Sequence, residues 1–280
     1  TNAIVSAYSY IASGLADVVL VSGAERYDSP GQILEWDNSR GEFKHPIFWA
    51  SIFTKAYKRE FSVTDEELAI VPVKNHKQSQ NNPNAFSDKT YSLEDVINSK
   101  KLTDDLRLLD CSRPCTGGAS ILLASENACK KFTDEPVWIT GIGQKTTSAG
   151  FTKNMAFSSM ESTQIAASTA FKMSKHNVND IDVAEVHDAF SVCEPMALES
   201  IGFTDKGKGM DMIKELHTTN NLKVNPRGGL IGSGHPLGAT GIAQTIEITQ
   251  QLQSCANKRQ VENAKIGLIH NMSAAATSST

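Results

Sequence analysis

The 280-residue chain is short of sulfur pairs, of net charge and of long apolar runs. Its five cysteines (Cys111, Cys115, Cys129, Cys193 and Cys255) are an odd number, and none forms a C-x-x-C pair. That argues against a disulfide framework and for a reducing compartment. Cys111 and Cys115 stand four apart, but no matching His/Cys pair follows to complete a zinc site. No apolar run approaches a membrane span, and no signal peptide is readable. The formal net charge is only -4, so no global basic field draws nucleic acid or an anionic membrane. Also missing are a Gly-x-Ser-x-Gly elbow, a Walker loop and a metal-ligand motif. What is present, 40% hydrophobic and 21% charged residues, is a globular balance for one large domain or two ordinary ones.

The element order reads as α/β. Residues 1–13 predict a helix broken at Gly14, and residues 16–23 a buried strand. Residues 25–109 have an irregular pattern, with Trp36, Trp49 and a polar stretch from Lys74 to Asn84. Within them a helix is expected over 64–75, started by Thr64 with Glu67 three residues on and kinked or ended by Pro72. Ser92 starts another short helix. An excursion this long inside an α/β chain points to function. Residues 117–124 and 137–143 read as further strands, 125–131 as a short helix, and Pro136 as the boundary between two halves. In the second half, helices are expected over 161–175, 191–201 and 241–255, and strands over 182–186 and 265–271.

Six glycines and one histidine crowd residues 228–241. Glycine at that density calls for tight turns or close approach of another group. His235 is the one group there that moves a proton near neutral pH, and it reads as a general base. His187 and Asp188 leave a strand end, where α/β folds place ligands. His187 either donates to a developing oxyanion or bonds a turn carbonyl. Asp188 reads as the cap of the helix that follows it. His270 and Asn271 close the last strand ahead of small residues, and on local grounds form a tight turn. Cys193 reads as a buried structural thiol that reacts only if the helix end lowers its pKa. Asn75 and His76 read as solvated loop, with Lys74, Lys77 and Lys89 as a weak phosphate patch. The clusters at His187, His235 and His270 fit one polar crevice without a nucleophile. The terminal residues 273–280 end with no closing element.

His187-Asp188-Ala189-Phe190, the run from Gly232 to Gly241, and His270-Asn271-Met272-Ser273 together resemble the thiolase family. Residues 16–25, 74–77 and 108–111 support the likeness, which covers nearly the whole chain. It is strongest to the His-Asp-x-Phe branch, that of sterol-carrier-protein-x type and archaeal acetoacetyl-CoA thiolases. The resemblance implies a layered αβαβα sandwich of two similar halves around two central helices. Residues 1–135 would be an N-terminal half incomplete at its start, with a loop domain over about 25–110. Residues 136–280 would be a C-terminal half lacking its last strand.

The activity so implied is that of an acyl-CoA C-acyltransferase (an acetoacetyl-CoA or 3-oxoacyl-CoA thiolase). Such enzymes make or cleave a carbon–carbon bond by Claisen chemistry through an acyl-cysteine. His235 would activate the cysteine and hold the thioester oxygen, and His187 would support the same oxyanion site. The backbone near Ser273 would form a second one. Gly234, Phe190, Asn75 and His76 would line the substrate. Three departures stand out. The nucleophile is expected a few residues upstream of Thr1, so the fragment alone should be inactive. Asn271 and Ala189 occupy the two positions where relatives carry an acid/base cysteine, which leaves His270 and Cys193 as stand-ins. The last strand is missing. A coenzyme A thioester is the expected substrate, with no tightly bound cofactor and no metal. Expected partners are a second copy, as dimer or tetramer, and a small zinc-ribbon/OB-fold protein. The setting is lipid metabolism in the cytoplasm, or in peroxisomes or mitochondria of a eukaryote. Two alternatives are a thiolase-like aldolase acting on a steroid side-chain acyl-CoA and an inactive acyl-CoA- or lipid-binding homologue.

Overall fold

A computed structural model describes residues 1–26, 45–148, 155–273 and 276–280; Trp36 lies outside them. The helices are α1 (Asn2–Ala12), α2 (Pro46–Phe61), α3 (Asp65–Leu68), α4 (Ile70–Ser79), α5 (Leu93–Ile97), α6 (Glu126–Cys129), α7 (Glu161–Ser174), α8 (Cys193–Ile201), α9 (Gly209–Thr218), α10 (Gly229–Ser233) and α11 (Thr240–Leu252). The strands are β1 (Val18–Glu25), β2 (Lys101–Thr103), β3 (Leu106–Arg107), β4 (Gly117–Ala124), β5 (Lys145–Thr146), β6 (Val183–Glu185), β7 (Gly267–Ile269), β8 (Met272–Ser273) and β9 (Ser278–Ser279).

α1 and α11 share a small core in which Ile4 and Ala7 meet Ile242, Val21 and Leu123. β1 and β4 pair antiparallel over this core, Val18 opposite Ala124 and Glu25 opposite Gly117. The expectation of fully buried strands fails here. Helices cover one face only, and alternation leaves Val18, Leu20 and Leu122 exposed on the other.

The irregular pattern expected over 25–109 gives way to α2 in its described part. His45 accepts from the Ile47 N–H at 3.3 Å, and Pro46 follows at the first helical position, where its missing N–H is harmless. Trp49, Phe53 and Tyr57 recur every fourth residue and are buried on one face. They share one core with Leu68, Val71, Val186, Phe190, Met196 and Leu198, so the excursion interleaves with the second half.

Thr64 and Glu67 form the expected capping box, but the helix they start is the single turn α3. Pro72 neither kinks nor ends a helix, because it falls in the first turn of α4, where backbone N–H groups have no intrahelical acceptor. The polar stretch from Lys74 to Ser79 is helical and mostly buried, which overturns the solvated-loop expectation. Ser92 caps α5 as expected.

In the second half β6 and β7 pair parallel, Val183 opposite Gly267 and Glu185 opposite Ile269. Gly202 at φ 101° closes α8. The strand expected over 137–143 does not form, because the segment lies against α7 rather than beside a strand. A Cβ on Gly143 would collide with the Ala166 carbonyl, and a strand without a ladder partner is not one. The chain end does carry a closing element. β9 pairs with β5 and β8 in a three-stranded sheet.

Candidate active site

The glycine-rich bend ties the two central helices to β1 and β4. The Gly238 N–H donates to the Glu25 carboxylate at 3.1 Å, and the His235 N–H to the Arg113 carbonyl at 2.8 Å. Gly234 takes φ 95°, and a Cβ there would stand 2.9 Å from Cys115 Sγ. A Cβ on Gly241 would collide with the Thr1 hydroxyl, so the leading ends of α1 and α11 touch.

His235 is buried, and its hydrogen bonds fix its tautomer. Nδ1 lies 2.7 Å from Thr240 Oγ1, while the Thr240 hydroxyl donates to the Pro236 carbonyl at 3.1 Å. With the one Thr240 proton given to Pro236, Nδ1–H donates to Thr240 and Nε2 keeps its lone pair. Burial, with the Arg227 charge adding to it, pushes His235 down to about 3. The ring is therefore neutral near pH 7, with a free acceptor nitrogen: the form of a general base.

His187 meets it edge-on, ring centroids 5.1 Å apart at 84°. His187 Nδ1 is buried without a hydrogen-bond partner. Burial first, then the charges of His235, His270 and Arg227, hold His187 well below its ordinary value. The leading end of α1 lies against Gly241, next to Thr240.

His270 completes the group but spends both ring nitrogens. Ser162 donates to the Ala276 carbonyl, and Ser279, Thr163 and His270 Nε2 follow in series at 2.8, 2.9 and 3.1 Å. That order requires Nε2–H on His270. Its Nδ1 then accepts from the His187 N–H at 3.5 Å. Burial pushes His270 down to about 4.

Asp188 does not cap the helix after it. Its carboxylate accepts from the Leu230 and Ile231 N–H groups at 2.6 and 3.3 Å and so caps α10, fixing the start of the glycine-rich bend. Asn75 Nδ2 bridges Asp188 and Glu194 at 2.7 Å each. Lys74 is buried and bonds Glu194 at 2.8 Å, so it belongs to no phosphate patch. Burial and the neighbouring Glu194 raise Asp188 to about 8.

The Cys193 thiol is fully buried and pushed up by that burial, opposite to the lowering a reactive thiol needs. Phe190 packs edge-on against Trp49 at 5.1 Å. His76 stacks edge-on with Tyr91 at 4.7 Å and is pushed down to about 4 by burial and the Arg113 charge. Asn271 donates to Gln244 at 2.8 Å, and Ser273 pairs with Ser278 next to residues outside the described set. Thr240, Thr163 and Arg227 have no local sequence signal for their roles; only the spacing of Thr240, five residues after His235, hints at one. Among the described residues no cluster of His, Cys, Asp and Glu is arranged to hold a metal ion. No helix among them is long and apolar enough to cross a membrane.

A family model described as "Thiolase C-terminal domain-like" matches residues 143–280. The acetyl-CoA acetyltransferase of Methanothermobacter thermautotrophicus is 37% identical over 271 residues, which cover 94% of this chain and 71% of that protein. Sterol carrier protein 2 of Gallus gallus is 33% identical over 94% of this chain, which spans about half (52%) of its length. Among solved structures, the Ltp2-ChsH2(DUF35) aldolase superposes with a TM-score of 0.85 at 22% identity, over 99% of this chain and 75% of that one. Human mitochondrial 3-ketoacyl-CoA thiolase gives 0.65 at 20% identity, over 90% and 69%.

Proposed function

Because this chain belongs to the thiolase family, we propose that the protein is a thiolase-type acyltransferase acting on a 3-oxoacyl coenzyme A thioester, acetoacetyl-CoA in the simplest case. One observation carries the reading. The rings of His235 and His187 meet edge-on with His187 Nδ1 unpartnered, and the leading end of α1 packs against Gly241 beside Thr240, the partner of His235. A cysteine just ahead of Thr1 would present its sulfur to that pair. His235 Nε2 takes the thiol proton, and the thiolate adds to the 3-oxo carbon. The bond between C2 and C3 then breaks, its electron pair going to the acetyl-CoA enolate. The two imidazoles donate to the enolate oxygen, and a proton returned to carbon releases acetyl-CoA. A second coenzyme A thiolate takes the acyl group from sulfur. His270, with both nitrogens committed, orients His187 instead of moving protons. No tightly bound cofactor is needed for these steps. Assembly as a dimer or tetramer fits the family. A small zinc-ribbon/OB-fold partner is supported by the DUF35 component named in the aldolase neighbour. A cytoplasmic or organellar setting in lipid metabolism accords with these substrates.

The test is thiolysis of acetoacetyl-CoA by the full-length protein, with acetyl-CoA measured as product and the acyl-cysteine by intact mass. His235→Ala should lower turnover by roughly a hundredfold to ten-thousandfold. Thioester binding without turnover would instead mark an inactive homologue. Cleavage of a steroid side-chain thioester without an acyl-cysteine would mark an aldolase. Either outcome refutes the proposal.

A further inference from the structure

Arg227 precedes α10 and is buried, yet nothing in the steps above uses it. Its Nε donates to Glu185 at 2.9 Å and its backbone N–H to the same carboxylate at 3.4 Å. Its carbonyl accepts from Asn82 at 3.2 Å and from the Ser233 hydroxyl. Its Nη2 is buried with no hydrogen-bond partner. A guanidinium N–H left unpaired in an interior is expensive, and such groups call for a reason.

Two ties fasten this residue to the segments that carry the imidazole pair. Glu185, its partner, ends β6 two residues before His187. Ser233, which holds the Arg227 carbonyl, stands two residues before His235. Both segments that carry the rings are thus fastened to Arg227. After burial its charge adds to the downward push on His235, adds less to that on His187, and opposes the rise of Cys115. Glu185 quenches it only in part, because burial raises that carboxyl to about 7.

We propose that Arg227 is a positioning residue for this reaction: a buried cation, fixed by Glu185, whose field stabilises the negative charge that develops on the substrate oxygen at His187 and His235. The inference rests on the thiolase reading above. A fixed charge in a dry site needs no reorganisation when the oxyanion forms, so it favours the transition state over the bound substrate. The other ionisable groups around the pair are His270, Cys115, and Glu247 beyond Glu185.

The test uses the full-length protein with Arg227→Gln, Arg227→Lys and Glu185→Gln. Steady-state thiolysis is measured alongside the pH response of the His235 ring signals in carbon-13 histidine NMR. Arg227→Gln should lower kcat roughly tenfold to a hundredfold while KM moves less than about threefold. Arg227→Lys keeps the charge and should stay within about fivefold of wild type. Glu185→Gln keeps an oxygen for Nε but removes the quenching charge, so kcat should not fall. The His235 midpoint should rise in Arg227→Gln and stay in place in Glu185→Gln, because Glu185, raised to about 7, is already uncharged where His235 titrates. Equal losses in the Gln and Lys variants, a loss in Glu185→Gln, or an unchanged His235 response in Arg227→Gln would each overturn the proposal. Should Arg227→Gln fail to fold, the kcat of Glu185→Gln above pH 7, which keeps the cation and loses its counter-charge, still decides it. A wild type inactive in thiolysis sinks the thiolase reading, while the ring midpoints still report whether Arg227 acts on the pair.

Discussion

Acidification from pH 6.5 to 5 should destabilise the protein, and the size follows from its buried groups. His76, His235 and His270 are held down to about 4, 3 and 4, and His187 well below its ordinary value. In the unfolded chain each ring takes up a proton near 6.5. The native state therefore binds fewer protons, and stability present above pH 6.5 is lost as pH falls toward the folded values. Over roughly 1.5 pH units His76, His235 and His270 each forfeit about 2 kcal/mol, or about 6 kcal/mol together, and His187 adds to the loss. Glu185 and Asp188 act the other way. Raised to about 7 and about 8, they are largely protonated in the fold while the unfolded carboxyls remain ionised across this window. Each returns about 2 kcal/mol as pH falls. The net loss is at least about 2 kcal/mol, a sizeable fraction of a typical stability of about 5–15 kcal/mol. Urea unfolding at a series of pH values reads it directly, as a falling midpoint at constant slope. Stability that is flat or rises between pH 6.5 and 5 would refute the reasoning, since the four rings would then not be buried as neutral groups.

Thr240→Val removes the acceptor that fixes the His235 tautomer, so kcat for thiolysis should fall about tenfold or more with little change in melting temperature. Gly143→Ala forces a methyl into the α7 backbone, and chemical denaturation should show a loss of at least about 1–3 kcal/mol. Lys74→Met strands the Glu194 carboxylate that it bonds at 2.8 Å, with an expected loss of about 3–5 kcal/mol in the same assay. A loss that small surface substitutions also give would mean that the buried network carries little strain.

The convergence of His187, His235 and His270 is legible in sequence because each follows a strand or a glycine-dense bend, and such local signals survive without knowledge of the rest of the fold. Helix α2 escapes the sequence reading, which takes residues 25–109 as irregular; Trp49, Phe53 and Tyr57 repeat every fourth residue behind Pro46, but the density of aromatics around them hides the period. The strand expected over 137–143 has the composition of one and lacks only a neighbour, which composition does not encode.

Residues whose roles depend on partners more than 40 positions away are a different matter. Asp188 looks like a cap for the next helix and caps α10 instead, because the Leu230 and Ile231 N–H groups come to it from 42 and 43 residues on. Lys74 and Asn75 look solvated because an isolated polar side chain prefers water. Glu194 and Asp188, more than 110 positions away, replace that water with matched charge and hydrogen bonds. Arg227 is the extreme case. An arginine among glycines is unremarkable until Glu185 fixes its Nε and leaves its Nη2 buried and unpaired. Sequence patterns record the solvation each residue would choose alone. The chemistry of this site lies in polar groups held where they would not go alone, and those become visible only when their remote partners are in place.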